Sequence, residues 1–499
     1  MALARLTSRG QRGMDAYEVT VEIHLAGGLP TFTISGLPAA AVRESRDRVR
    51  AALQILGSPV PASRITAHLG PADIPKEGGR FDLPIALGVL MADKGHPWQT
   101  DGTEFIGELA LNGELRPVKG TLPAVLAARD ARRAIVIPAA NAPEAKLVDE
   151  TTVYPAGHLS EVVAHLDGTS RIAALQPAPA VPTSNDGLEL SDVRGQSAAK
   201  RALIIAAAGG HNLLLVGPPG TGKSMLAQRL PGLLPPLRVE EMLCVASIAS
   251  IAANSSDEIA STKRPFRAPH HTASAVALVG GGSRPRPGEI SLAHLGVLFL
   301  DELPEFQRSV LEALREPLES GIITVARAHE TAQFPASFQL VAAMNPCPCG
   351  YLGDGSDRCR CSGTRLDCYR SRLSGPLLDR FDLQVEFARV PLERMADPAP
   401  DGESVTAARA VGAARERQLT RRGGLNARLG DRALWREVAL DREGRRLMIR
   451  AAERWRLSAR GCTRILKVAR TIADLAADTD VTVPHVAEAI QLRCLERLF

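Results

Sequence analysis

Residues 217–224 read GPPGTGKS, directly after an apolar run from Leu213 to Val216. A buried strand running into a glycine-rich turn that ends in Gly-Lys-Ser narrows the fold sharply. The phosphate-binding loop needs a strand in front of it and a helix behind it. Its glycines let backbone N–H groups turn inward around phosphate oxygens. A helix opening here points its positive end at the same anion. Gly217, Pro218, Pro219, Gly220, Thr221, Gly222, Lys223, Ser224 and Met225 are therefore expected to hold a nucleotide. Lys223 would reach the β- and γ-phosphates, and the Ser224 hydroxyl would sit on Mg²⁺. Further on, VLFLDE at 297–302 is a second buried strand, closing on two acids. Asp301 is expected to share the Mg²⁺, and Glu302 to polarise an attacking water. Together the two segments predict nucleotide hydrolysis.

With 499 residues the chain has room for two to four domains. Two stretches rich in proline and small polar residues, 176–187 (QPAPAVPTSNDG) and 397–404 (DPAPDGES), read as linkers. Three blocks are expected: 1–170, a linker over 171–187, then 188–395 with strands and helices alternating as in a parallel α/β sheet, and 396–499 with long helical patterns. In the first block, β-like stretches (Tyr17 to His24, Phe32 to Ile34, Ile65 to Leu69, Ala134 to Ile137) alternate with helical ones (Ala39 to Leu56, Leu83 to Met91, Thr121 to Ala131).

Charge is uneven. Residues 401–499 hold 20 Lys and Arg against 13 Asp and Glu, a surplus of seven in a chain whose net charge is only +5. That is a solvated helical surface or a face near a polyanion. Aromatic residues make up 4 %, so base stacking is not expected to dominate any nucleic-acid contact. No signal-peptide core and no run long enough for a membrane span is evident, and eight cysteines in that setting argue for reduced thiols or a metal. A cytoplasmic protein without membrane partners is expected.

The spacing from Lys223 to Asp301 exceeds what a minimal ATPase core needs, and residues 264–294 are the candidate insert. They carry Arg264, Arg267, His270, His271, Arg284 and Arg286 around a Gly280-Gly281-Gly282 hinge, with Glu289 the only acid. Such a loop can follow a phosphate backbone without reading sequence, so Arg267, His270, His271, Arg284 and Arg286 are candidate DNA contacts. A surface loop whose arginines cap helices is the plainer alternative. Beyond the acid pair, Ile322 to Ala326 and Thr331 to Phe334 look like hairpin arms with Arg327 near the tip. Gln339 to Ala343 is another buried strand, and Asn345 at its end can orient the attacking water beside Glu302. Arg380, in SGPLLDRFD, lies at an expected helix end where it can reach a neighbouring subunit's nucleotide; an ion pair with Asp379 or Asp382 competes with that role.

Cys347, Cys349, Cys359 and Cys361 form two Cys-x-Cys pairs across a glycine-rich turn. Four thiolates so placed can close around a tetrahedral Zn²⁺. A redox-sensitive thiol pair, or simply free cysteines, are the other readings.

The phosphate loop, acid pair, Asn345, Arg380 and helical C-terminal block together resemble an AAA+ ATPase. The strings FRAPHH, PRPGEISLAH, GVLFLDELPEF, AMNPCPCGY, SGPLLDRFDL and LKVARTIADL are similar to the magnesium-chelatase-like ComM/YifB family over nearly the whole chain. The resemblance implies an AAA+ parallel-sheet core with a helical lid, ATP and Mg²⁺ as cofactors, and a homo-hexamer. It also implies a helicase that migrates branched DNA in recombination and natural transformation. It puts Arg327 where related hairpins of MCM helicases carry a DNA-contacting base, and makes Arg460, or alternatively Arg464, the second sensor arginine. Residues 72–90, 107–129 and 136–141 look like the Lon protease domain, but the positions expected for its Ser/Lys pair hold Arg80, Phe81, Leu122, Pro123 and Ala124. A non-proteolytic α+β domain of that fold is expected. The competing functions are a metal-insertion ATPase of the magnesium chelatase type and an AAA+ chaperone.

Overall fold

Strict alternation of inward and outward side chains organises the N-terminal part. The computed structural model describes residues 2–177, 187–252, 263–282, 285–327, 330–390 and 402–493. Two compact units result: Met1–Pro182 with Arg238–Thr262 and Ala328–Phe334, and Thr183–Leu237 with Lys263–Arg327 and Pro335–Phe499.

In the first unit, β1 (Ala2–Arg12) and β2 (Asp15–Ala26) make a long antiparallel pair in register from Ala2 opposite Leu25 to Arg12 opposite Asp15. Val19, Val21, Ile23 and Leu25 of β2 all point into the core. The sheet is completed by β3 (Thr31–Ser35), β4 (Arg64–Gly70) and β5 (Thr103–Phe105), with β6 (Glu108–Leu109) and β7 (Leu115–Arg116) forming a small separate hairpin. With β8 (Ala134–Pro138) and β9 (Val153–Ala156) the order is β3-β4-β2-β1-β5-β8-β9, a mixed sheet. The helix Asp82–Lys94 lies on it, and Gly88 is the point of closest approach: a Cβ there would come within 2.5 Å of Ile23.

The expected helix from Ala39 to Leu56 is broken at Glu44 into Ala40–Arg43 and Ser45–Ile55. The position expected for a Lon-type serine carries Arg80, 6 % exposed, whose guanidinium donates to the Arg9 and Lys119 carbonyls and whose pKa burial lowers to about 10.

The helix Val239–Ala252 also belongs to this unit. Ser250 accepts the Gly120 amide on its carbonyl at 3.0 Å and the Leu122 amide on its hydroxyl at 3.4 Å, satisfying the open start of helix Thr121–Asp130. The excursion from the second unit is thus 238–262, not the expected 264–294.

The second unit is built on five parallel strands: β10 (Leu213–Val216), β11 (Phe266–Arg267), β12 (Val297–Leu300), β15 (Gln339–Met344) and β16 (Leu383–Glu386), while β13 (Ile322–Arg327) and β14 (Glu330–Pro335) are the two arms of a hairpin. The order is β11-β12-β15-β10-β16. Every residue of β10, β12 and β15 is buried, as a parallel sheet covered on both faces requires. Helix Ser197–Gly209 and the C-terminal helices Glu403–Arg422, Arg442–Trp455, Ala459–Ala476 and Val483–Gln491 share its hydrophobic core. No helix among the described residues is long and apolar enough to cross a membrane.

Candidate nucleotide-hydrolysis site

Parallel strands deliver their C-terminal ends to one edge of a sheet, and here β10, β12 and β15 bring three functional segments together. The loop after β10 turns at Gly220 and Gly222, with φ of 74° and 90°, a region open to glycine at little cost. The helix Lys223–Ala227 starts immediately after. The cavity in front of it, about 430 Å³, is lined by residues 219–225 with Asp301, Glu302, Met344 and Asn345. Gly217 and Pro218 supply carbonyls behind the loop.

Lys223 is 8 % exposed and donates to the Gly217 and Pro218 carbonyls at 2.7 and 2.8 Å and to Asn345 Oδ1 at 3.3 Å. Burial lowers its pKa, with Asp301 pulling the other way, so an incoming phosphate would relieve an under-neutralised ammonium. Ser224 Oγ donates to Asp301 Oδ2 at 2.6 Å, which sets the two expected Mg²⁺ groups side by side. The Glu302 amide donates to Asp301 Oδ1 at 2.9 Å. The donor set suits a nucleotide triphosphate with Mg²⁺: amides and a buried cation for the phosphates, a hydroxyl and a carboxylate for the metal.

Asn345 is braced twice. Tyr369 donates to its carbonyl at 3.2 Å, and Gly350 packs so closely that a Cβ there would lie 2.7 Å from Pro219. The cysteine-bearing turn therefore leans on the phosphate loop, which spacing alone did not reveal. Cys347, Cys349, Cys359 and Cys361 present sulfurs all within 4.8 Å of one another, with Cys347 to Cys349 at 3.3 Å, Cys349 to Cys359 at 3.7 Å and Cys347 to Cys359 at 3.9 Å. Tetrahedral Zn²⁺ with sulfurs at about 2.3 Å needs S···S separations of about 3.8 Å, so these thiolates fit that ion.

The three arginines stand apart from the cavity lining. Arg380, 5 % exposed, pairs with Glu319, not with Asp379 or Asp382. Asp382 is taken by Arg464, whose Nη1 donates at 2.5 Å, and by buried His211. Burial alone would raise the Asp382 carboxyl, but the His211 hydrogen bond and the Arg464 charge hold it far below the usual carboxylate range. Arg460 is exposed near the start of the helix that carries Arg464. Burial lowers the Arg380 pKa, Glu319 opposes, and Arg464, Arg460 and Arg315 push the same way as burial.

The basic segment 264–294 is less free than expected. Arg267 lies in β11 and forms a two-pronged pair with Glu289 at 2.7 and 3.0 Å. His271 Nδ1 sits 3.0 Å from Glu302 Oε2. His270 bonds Thr272 Oγ1 and stacks loosely on His271. Arg286 is exposed. Arg284 and the Arg327 side chain lie outside the described residues.

Comparison with known proteins agrees with this architecture. The family model "Magnesium chelatase, subunit ChlI" matches residues 189–395, "Subunit ChlI of Mg-chelatase" matches 21–141, and "Magnesium chelatase, subunit ChlI C-terminal" matches 402–493. Competence protein ComM of Haemophilus influenzae is 49 % identical over 508 aligned positions, covering 100 % of this chain and 99 % of its own. YifB of Escherichia coli is 46 % identical, covering 100 % and 98 %. The magnesium-chelatase 38 kDa subunit of Rhodobacter capsulatus is 28 % identical over 235 positions, covering 44 % of this chain and 61 % of its own. With its parallel sheet, phosphate loop and full-length likeness to these relatives, the chain belongs to the ComM/YifB family of magnesium-chelatase-like AAA+ ATPases.

Proposed function

We propose that the chain is a hexameric, ATP-driven DNA helicase that promotes branch migration in homologous recombination and natural transformation. The observation that carries this reading is its full-length likeness to a competence protein, in a chain that keeps every residue needed for hydrolysis. Lys223 binds the phosphates, Ser224 and Asp301 hold Mg²⁺, Glu302 activates water and Asn345 orients it. Arg380, with Arg460 and Arg464 beside it, addresses the nucleotide of the next subunit.

DNA contact falls to the exposed members of the basic segment, His270 and Arg286, with Arg327 and Arg284, and to the surplus of seven positive charges over 401–499. Arg267 and His271, held by Glu289 and Glu302, contribute only if those pairs open. The N-terminal block, 1–170, acts as a Lon-like scaffold without peptidase chemistry, because Arg80 fills the nucleophile's place. The setting is cytoplasmic.

The test is direct. Full-length protein with ATP and Mg²⁺ is mixed with a synthetic four-way junction bearing homologous arms. ATP-dependent conversion to strand products is expected, insensitive to sequence and falling steeply with salt. No junction conversion and no DNA-stimulated hydrolysis at low salt would overturn the helicase reading. That outcome favours metal insertion, to which the match with the chelatase subunit points.

We also propose that the four cysteines carry one structural Zn²⁺. Elemental analysis of metal-free-buffer preparations should give one zinc per chain. Cys347→Ser should remove it and lower the melting temperature by more than about 4 °C. Protein that is fully folded and zinc-free would assign the cysteines to another role.

A further inference from the structure

We propose that His271 is a positioning residue that holds Glu302 idle, and that displacement of its arm releases the base for hydrolysis. The inference rests on Glu302 being the water-activating base and goes beyond it by assigning that base a restraint.

The pairing follows from register. β11 and β12 run parallel, with Phe266 opposite Val297 and Arg267 opposite Leu298. Continuing both chains by four residues brings His271 level with Glu302. Contact between them is thus built into the sheet edge and is not an accident of a loop. His271 Nδ1 lies 3.0 Å from Glu302 Oε2. The imidazole is held on two sides, by the His270 ring at 4.2 Å and the edge-on Phe306 ring at 6.5 Å.

Glu302 itself is unusual. Its φ is +51°, a left-handed conformation that non-glycine residues seldom adopt. Its amide is committed to Asp301, and its side chain is half exposed at the cavity wall. The backbone therefore fixes where the carboxylate starts, and the side-chain partner decides where it points.

A general base must offer a carboxylate lone pair to the proton it takes. An imidazole N–H donating to Oε2 occupies that lone pair and draws the carboxylate away from the water. The restraint is also linked to a movable element. His271 lies on the arm that leaves β11, continues through the short helix Ala275–Val279 and reaches Gly280, Gly281 and Gly282, all at positive φ. The arm is tied back at its base by the Arg267 to Glu289 pair. Whatever shifts the arm, DNA in the proposed function, also withdraws His271 from Glu302.

Full-length His271→Ala, His271→Asn and Glu302→Gln proteins are compared for ATP hydrolysis with and without a synthetic four-way junction. His271→Ala should raise the DNA-free rate on the order of tenfold, the effect of removing one hydrogen bond to a charged group. Its KM should stay constant and its DNA stimulation should collapse toward unity. Asparagine presents an N–H near the Nδ1 position, so His271→Asn should bring the rate back toward that of the unaltered protein. The DNA-free rate alone decides the matter. His271→Ala at the unaltered rate overturns the restraint, and so does loss of hydrolysis in both His271 variants, which would make the histidine an activator or a structural part. Full activity in Glu302→Gln instead removes the base assignment itself, and the restraint with it.

Discussion

Glu302→Gln is expected to lower ATP hydrolysis by about 10²–10⁴-fold, the usual contribution of a positioned general base, while nucleotide affinity stays close to that of the unaltered protein. The ground-state contacts belong to other groups. Phosphate charge meets Lys223 and the loop amides, and the metal meets Ser224 and Asp301. Glutamine keeps the size of Glu302 and can still meet His271, so the left-handed turn at 302 is not disturbed. Only proton acceptance is lost. Lys223→Ala should behave differently. It removes the one cation buried against the loop, and binding should fail along with hydrolysis. Fluorescent-nucleotide titration beside phosphate release separates the two. A Glu302→Gln protein that binds weakly would mean that the carboxylate belongs to the metal site.

Local patterns announced much of this arrangement. The phosphate loop, the buried strands β12 and β15, the hairpin arms and the four cysteines each depend on a few adjacent residues, so their spacing is visible in the chain. Partners that sheet register or distant helices bring together were not visible. Strand β1 escaped notice because its inward residues include Ser8 and Arg9, whose burial is made tolerable by Phe105 and Glu104 far along the chain. β11 is two residues long and sits inside a basic stretch that reads as loop. Once it is placed beside β12, the meeting of His271 with Glu302 follows from counting. Arg380 was given sequence neighbours as ion-pair partners. The structure gives it Glu319, from the helix Arg315–Ser320, while Asp382 turns inward to Arg464 and His211. The helix Val239–Ala252 is apolar enough to be core in either unit. Only the uncapped start of helix Thr121–Asp130, met by Ser250, decides where it docks.

Arg380→Ala is expected to cut hydrolysis by about 10³-fold, the low end for an arginine that stabilises charge on a transferring phosphoryl group. The side chain is not at its own chain's cavity. It is buried with one carboxylate partner, Nε lacks a hydrogen-bond partner among the described residues, and Arg464, Arg460 and Arg315 crowd it with like charge. A guanidinium so placed is stabilised by any further anion, and a neighbouring subunit's triphosphate supplies one. The decisive experiment mixes two inactive proteins. Arg380→Ala subunits keep Glu302, and Glu302→Gln subunits keep Arg380. In a ring of head-to-tail interfaces, random assembly makes about a quarter of the sites complete, with Glu302 from one chain and Arg380 from the next. Equimolar mixing should therefore restore about a quarter of the unaltered activity. If Arg380 serves its own chain's site, no interface is completed and mixing restores nothing. If it serves only to pair with Glu319, then Glu319→Ala should reproduce the Arg380→Ala loss, because each removes the same ion pair. Under the intersubunit assignment, Glu319→Ala instead frees the guanidinium and leaves most of the hydrolysis in place.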